Sequence, residues 1–143
     1  AGAAALPGAR DLVLSLRDRV PVAVASNSPR AFVVTALASA GLTDLFTHVL
    51  AAEDVANPKP APDLYLAACA ALCADPTRTV TFEDSRTGAT AARAAGTHVV
   101  GIPSLPGVTL DADSTFATLT DPALADWART VRTAGLRAAN APS

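Results

Sequence analysis

The sequence predicts one α/β domain in which a parallel sheet lies between two layers of helices. Short apolar runs of strand length alternate with longer stretches of helical spacing, a pattern that favours right-handed βαβ units. Half of the 143 residues are hydrophobic and only 17% are charged, which is typical of a packed globular core. A chain of this length is too short for two ordinary domains.

The strands and helices are expected in strict alternation. Four apolar runs have the composition of strands buried on both faces: 20–25, 48–51, 79–82 and 98–102. Helices are predicted at 8–19, 29–40, 62–73 and 85–95. Ser28 is the expected N-cap of the second helix, with Pro29 at its first position. The third helix is expected to turn four residues inward: Leu64, Leu66, Cys69 and Leu72.

The pattern weakens beyond residue 103. We expect a loop at 103–107, an edge strand at 115–119 and a closing helix at 122–136. Residues 138–143 are predicted to form a flexible tail, so the core domain is expected to span residues 1–137.

Composition argues against several classes of function. The net charge is −2 and no run of basic residues is present, which argues against a nucleic-acid surface. No apolar stretch approaches the roughly 20 residues of a membrane span, and the first residues lack a signal-peptide pattern, so we expect a cytoplasmic protein. Cys69 and Cys73 lie four residues apart in a predicted helix, where core packing is favoured over a disulfide or a metal site.

Three short polar segments stand out because each follows an apolar run or the loop after it. In a parallel sheet these positions meet at the carboxyl edge, where such folds bind ligands. The first segment begins at Ser26, which ends a strand, and turns at Asn27 into the second helix. Backbone N–H groups, the helix dipole and the Ser26 hydroxyl together favour an anion site there. The alternative is an ordinary strand-to-helix turn with a serine cap.

The second segment contains Lys59 between two prolines. Because proline restricts the backbone on both sides, the lysine is expected to leave the loop in a fixed direction. An ammonium aimed at a phosphate stabilises its charge in the ground and transition states. The alternative is a solvated loop lysine.

The third segment places Glu83 and Asp84 at the end of a buried strand. Two adjacent carboxylates repel each other unless a cation is present, and hard oxygen ligands in small number suit Mg²⁺, which takes further ligands from water and substrate phosphate. The alternative is that Asp84 or Ser85 caps the helix that follows.

With these residues, the sequence resembles the haloacid dehalogenase superfamily of phosphohydrolases over residues 6–102. Ser26 matches its second motif, Lys59 its third, and Glu83 with Asp84 its fourth. The motif sequences are most similar to those of the β-phosphoglucomutase and phosphoglycolate phosphatase branch. Three stretches carry this similarity: Val24-Ala25-Ser26-Asn27-Ser28-Pro29, Asn57-Pro58-Lys59-Pro60-Ala61-Pro62 and Phe82-Glu83-Asp84-Ser85.

The resemblance implies a Rossmann-like three-layer α/β/α core, a Mg²⁺ cofactor and a small phosphate monoester substrate. Ser26, the Asn27 amide and Lys59 would bind the phosphoryl group, with Ser26 and Lys59 taking part in catalysis. Glu83 and Asp84 would hold the metal. The family's first motif is an Asp-x-Asp on a central strand, and its leading aspartate forms an aspartyl-phosphate. We expect that nucleophile, its central strand and the substrate-selecting cap to lie outside this chain, in a preceding segment that acts as its partner.

An Asp-x-Asp does occur at Asp111 and Asp113, but the residues before it make a poor buried strand, so we interpret it as a surface loop. Three functions stay open from the residues alone. They are a Mg²⁺-dependent phosphatase or a phosphomutase-type transferase, a non-catalytic module that binds phosphate and Mg²⁺, and a purely structural interaction domain.

Overall fold

The computed structural model describes residues 8–103, 107, 109–130 and 137–140. Its α-helices are α1 (Ala9–Arg17), α2 (Arg30–Ser39), α3 (Asp63–Ala71), α4 (Arg86–Ala94) and α5 (Pro122–Thr130). Its strands are β1 (Ala23–Ala25), β2 (His48–Leu50), β3 (Thr79–Glu83), β4 (His98–Gly101), β5 (Ser114–Thr115) and β6 (Arg137–Asn140). The alternation of helix and strand is the one that the apolar runs predicted.

The described strands form one sheet in the order β2-β1-β6-β3-β4-β5, and every pair of neighbours is parallel. The carboxyl ends of β1 and β3 therefore lie at the same edge. This confirms the predicted Rossmann-like α/β class. It also brings the segments that follow these strands to one side of the molecule.

Helices cover both faces of the sheet. On one face α1, α2 and α5 bury apolar side chains such as Leu16, Val33 and Leu124 against the strands. On the other face α3 and α4 pack with small residues, among them Ala68 and Ala91. Because these side chains are small, α3 and α4 pack close to the sheet. This close packing leaves little room for residues at the carboxyl edge of the sheet to shift.

The position of β6 differs from the prediction of a tail beginning at residue 138. Residues 138–140 pair with β3 on one side, and Asn140 lies opposite Val24 of β1 on the other. The central strand was expected to lie outside this chain, but β6 fills the position between β1 and β3. The physical reason is that two parallel strands with unpaired inner edges satisfy their backbone groups by accepting a third strand. Residues 141–143 of the predicted tail lie outside the described residues.

Two inward-facing predictions for α3 and its end are wrong. Leu66 is 44% exposed, whereas the neighbouring Tyr65 is fully buried. Leu64 and Leu66 are two residues apart and so point in directions about 200° apart on a helix, which prevents both from facing the sheet. Cys73 is exposed because it lies beyond the last turn of α3, with a positive φ of 53°. Cys69 is buried as expected.

The edge strand is shorter than predicted and begins one residue earlier. The edge strand β5 covers Ser114–Thr115, and α5 is described as far as Thr130. Residues 104–106 of the predicted loop and residues 131–136 of the predicted closing helix lie outside the described residues. Among the helices that the structure describes, none has the length and apolar character needed to cross a membrane.

The role of β6 leads to a test by truncation. A chain ending at residue 136 should leave the inner edges of β1 and β3 unpaired, and such edges recruit other chains. We expect this variant to aggregate at concentrations where the full chain stays dispersed, as measured by analytical ultracentrifugation. A chain ending at residue 140 is the matched control, because it keeps β6. Equal dispersion of both truncated chains would show that β6 does not protect these edges.

Candidate active site at the carboxyl edge of the sheet

A buried ion pair joins two of the three predicted polar segments. Lys59 Nζ lies 2.8 Å from Glu83 Oε2, and the two side chains are 4% and 0% exposed. The ammonium also donates to the carbonyl oxygen of Ala25 at 3.0 Å, directly before Ser26. The ends of β1 and β3 and the loop before α3 therefore meet at one buried cation.

Tyr65 completes the surroundings of Lys59. Its hydroxyl lies 3.3 Å from Lys59 Nζ and donates to Glu83 Oε2, and its ring lies under the ammonium at 4.8 Å from Nζ to the ring centroid. The three N–H donors of Lys59 thus face three oxygen acceptors. A lysine bonded in this way has a fixed position, as expected from the two flanking prolines. Its partners in the structure are other groups of the protein.

Asn27 connects the first segment to the second through its side chain. Its Oδ1 accepts from the Lys59 N–H at 2.8 Å, and its Nδ2 donates to the Lys59 carbonyl oxygen at 3.2 Å. This pair of bonds fixes the loop that carries Lys59 against the turn after β1. The side chain of Asn27 therefore has a structural role that occupies both of its polar atoms, and the predicted phosphate-binding role of the Asn27 amide stays a prediction.

Ser26 is buried at the end of β1, where its Oγ accepts a hydrogen bond from the Ser28 N–H at 3.1 Å. The hydroxyl proton of Ser26 is not used by this bond, so the group keeps the capacity to donate to an anion.

The start of α2 differs from the predicted serine cap. Pro29 is the N-cap, and it has no side-chain capping bond. Glu53 takes over this function, since its Oε1 accepts from the Arg30 N–H at 2.8 Å. A carboxylate at this point satisfies the positive end of the helix dipole. Any anion site in this region therefore depends on the turn at Ser26 and Asn27 more than on the first N–H groups of α2.

Glu83 is turned inward and away from solvent. Its Oε2 accepts from Lys59 and Tyr65, while Oε1 is buried and accepts no hydrogen bond from any described residue. Burial raises the pKa of Glu83, and the charge and hydrogen bond of Lys59 oppose this shift. Asp84, by contrast, is half-buried. Of the two predicted metal ligands, Asp84 is the one whose side chain reaches the surface.

The start of α4 decides between the two predicted caps. Ser85 is the N-cap, and its Oγ accepts from the Gly88 N–H at 3.1 Å. Asp84 is therefore not needed for capping. The end of β3 supplies one inward carboxylate, one carboxylate at the surface and a hydroxyl that begins the helix.

The chain also matches a known protein family in sequence. The sequence model of the haloacid dehalogenase-like hydrolase family matches residues 2–96, which is more than half of the chain. The chain belongs to this family.

Relatives within the family are named as phosphatases. The chain is 39% identical to the bifunctional riboflavin kinase/FMN phosphatase of Arabidopsis thaliana over 85% of its own length and 34% of that protein. It is 41% identical to the fructose-1-phosphate phosphatase YqaB of Escherichia coli over 64% of its length and 49% of that protein. The chain thus spans between a third and a half of these curated relatives.

Solved structures show the same fold. A haloacid dehalogenase family hydrolase from Deinococcus radiodurans, solved with bound phosphate and sodium, superposes with a TM-score of 0.75 at 34% identity. The match covers 85% of this chain and 59% of that one.

The Asp-x-Asp at Asp111 and Asp113 is not part of this haloacid dehalogenase-like site. Asp113 accepts from the Val99 N–H at 2.8 Å, and this bond, with help from Arg93 and His98, lowers the pKa of Asp113. Asp111 pairs with Arg93 at 2.9 Å. Both aspartates lie alongside the amino half of β4, away from the carboxyl edge, and tie the loop before β5 to the sheet.

Tyr65 and Gly88 belong to the site but were not predicted from the sequence. Tyr65 shares a helical face with Ala68, Cys69 and Leu72, so its inward direction was contained in the i, i+3, i+4 and i+7 spacing. Gly88 was visible as an isolated glycine in the first turn of a helix, which usually has a packing reason.

The surroundings of Tyr65 predict an abnormal titration. Burial, followed by the charge and hydrogen bond of Glu83, raises the pKa of the phenol well above its usual value of 10.0. The stability that the neutral phenol contributes is therefore complete below about pH 10 and is lost as the pH rises towards the folded-state pKa. Because Tyr65 is the only tyrosine, ultraviolet absorbance of the phenolate reports this residue alone.

We expect the phenolate signal of the native chain to appear only together with alkaline unfolding, followed by circular dichroism. In urea the same signal should appear near the usual pKa. A phenolate signal near pH 10 in the folded chain would contradict the buried contact with Glu83.

Proposed function

We propose that this chain supplies the phosphoryl-binding part of a Mg²⁺-dependent hydrolase that acts on a small phosphate monoester, such as a sugar phosphate or phosphoglycolate. The observation that carries the proposal is the ammonium of Lys59, held by three oxygen acceptors beside the turn at Ser26 and Asn27. The phosphatase names of the relatives and the phosphate bound by the Deinococcus radiodurans protein support the same chemistry.

The reaction would proceed through an aspartyl-phosphate. A carboxylate oxygen from a segment outside this chain attacks phosphorus, the bond to the ester oxygen breaks, and that oxygen leaves as an alcohol after taking a proton. Water then hydrolyses the acyl phosphate and releases inorganic phosphate. The segment that carries the nucleophile would take the central position that β6 holds in this chain.

Lys59 and Ser26 would act on the phosphoryl oxygens. The positive charge of Lys59 has a fixed position before the substrate arrives, so it stabilises charge on the phosphoryl group without the cost of reorganising solvent. The Ser26 hydroxyl would donate one hydrogen bond to the same group. Asn27 would contribute by holding the Lys59 loop through its side chain and by the N–H groups of its turn.

The residues fit a Mg²⁺ ion through Asp84. This carboxylate is half-buried at the end of β3, whereas the carboxylate of Glu83 faces Lys59. The described part of the chain contains no cluster of three acidic, histidine or cysteine side chains. Further ligands would come from water, the substrate and the nucleophile segment. When bound, the ion adds positive charge against the phosphoryl oxygens.

Binding of tungstate, a phosphate mimic, tests the proposal on the chain itself by isothermal titration calorimetry. We expect saturable binding by the native chain. The double variant Lys59→Met/Glu83→Gln removes the cation without leaving a buried carboxylate, and it should bind at least about tenfold more weakly. Ser26→Ala should also weaken binding.

The matched control is Arg78→Ala, which removes an exposed positive charge before the amino end of β3, at the opposite edge of the sheet. Tungstate affinity should not change in this variant. No binding by the native chain, or equal losses in the control and the double variant, would overturn the proposal. Addition of Mg²⁺ should strengthen tungstate binding in the native chain and have no effect in Asp84→Asn.

A further inference from the structure

Gly88 lies in the first turn of α4, where the carboxylate of Glu83 fills the space that a side chain would need. A Cβ atom built on Gly88 would lie 1.9 Å from Glu83 Oε1, 2.0 Å from Cδ and 2.3 Å from Oε2. These distances are far below any contact between non-bonded atoms. The residue at position 88 therefore decides whether Glu83 can occupy its present position.

Backbone conformation does not explain a glycine at this position. The φ angle of Gly88 is not positive, and the residue lies within a regular helix. In a helix interior glycine is less favourable than alanine by about 0.5–1 kcal/mol. The glycine is thus unfavourable for α4 itself, and the close approach of Glu83 is the feature of the structure that requires it.

Glu83 has no other place to go within the packed site. Both carboxylate oxygens lie against Gly88. Oε2 is also bonded to Lys59 and Tyr65, and all three side chains are buried. Its Oε1 accepts no hydrogen bond from any described residue. The position of Oε1 is therefore set by packing against Gly88, near the positive end of the α4 dipole.

We propose that Gly88 is a positioning residue of the candidate active site, whose missing side chain lets Glu83 lie against α4 and hold the ammonium of Lys59 at the carboxyl edge. Any side chain at position 88 pushes the Glu83 carboxylate off α4 and opens its pairing with Lys59. The consequence for phosphate binding rests on the function proposed above, whereas the effect on Lys59 itself does not.

Chemical labelling of Lys59 tests the proposal directly. Lys59 is the only lysine in the sequence, so acetylation of its side chain by acetic anhydride is measured at one peptide by mass spectrometry. The native chain should react slowly because the ammonium is buried and bonded. Gly88→Ala should react about tenfold faster or more, since overpacking of this size shifts the opening equilibrium by that factor.

A compensating variant separates positioning from general damage. Glu83→Asp shortens the carboxylate side chain by one methylene, so Gly88→Ala/Glu83→Asp should return Lys59 to slow labelling. Thr90→Ala, at an exposed position of the same helix, is the control and should label at the native rate. If Gly88→Ala does not fold, restoration of folding and of slow labelling in the compensated chain still supports the proposal.

Native-rate labelling in Gly88→Ala, or equally fast labelling with and without Glu83→Asp, would overturn the positioning role. Tungstate binding by the same variants adds the functional readout, and it should weaken in Gly88→Ala and recover in the compensated chain. Failure of the native chain to bind tungstate overturns the proposed function, while the labelling result continues to decide the role of Gly88.

Discussion

The buried contact between Lys59 and Glu83 is the interaction on which the rest of the site depends. Each ion loses several kcal/mol of hydration when it is buried, and attraction offsets this loss only when the remaining polar atoms are bonded. The ammonium meets this condition through Glu83, Ala25 and Tyr65. The carboxylate meets it only in part, because Oε2 is bonded whereas Oε1 is buried and accepts no hydrogen bond from any described residue.

The parallel sheet makes this contact possible. Because β1 and β3 run in the same direction with β6 between them, their last residues, Ala25 and Glu83, lie at the same edge of the sheet. The loop before α3 brings Lys59 into contact with both residues. The small residues of α3 and α4 keep these helices close to the sheet. Rigid helices and strands hold the side chains of this site in precise positions. The same close packing makes the site intolerant of substitution, since a single methyl group added at position 88 has no space.

The sequence was sufficient for the fold class and for the convergence of the three polar segments, because both follow from the order of apolar runs in a parallel sheet. It was not sufficient to predict that Glu83 points inward, since the sequence alone does not show which of two adjacent carboxylates is buried. It also missed β6, because Arg137-Ala138-Ala139-Asn140 has little intrinsic preference for strand, and its state is imposed by the two strands beside it.

The measurement that tests the central claim most directly is a double-mutant cycle between Lys59 and Glu83 on the free energy of unfolding in urea. Lys59→Met and Glu83→Gln each leave the charge of the remaining partner buried without an opposite charge, and each should cost about 3–5 kcal/mol. The double variant should cost much less than their sum, with a coupling of at least about 2 kcal/mol. Additive effects would mean that the two side chains do not depend on each other, and the account of this site would be wrong.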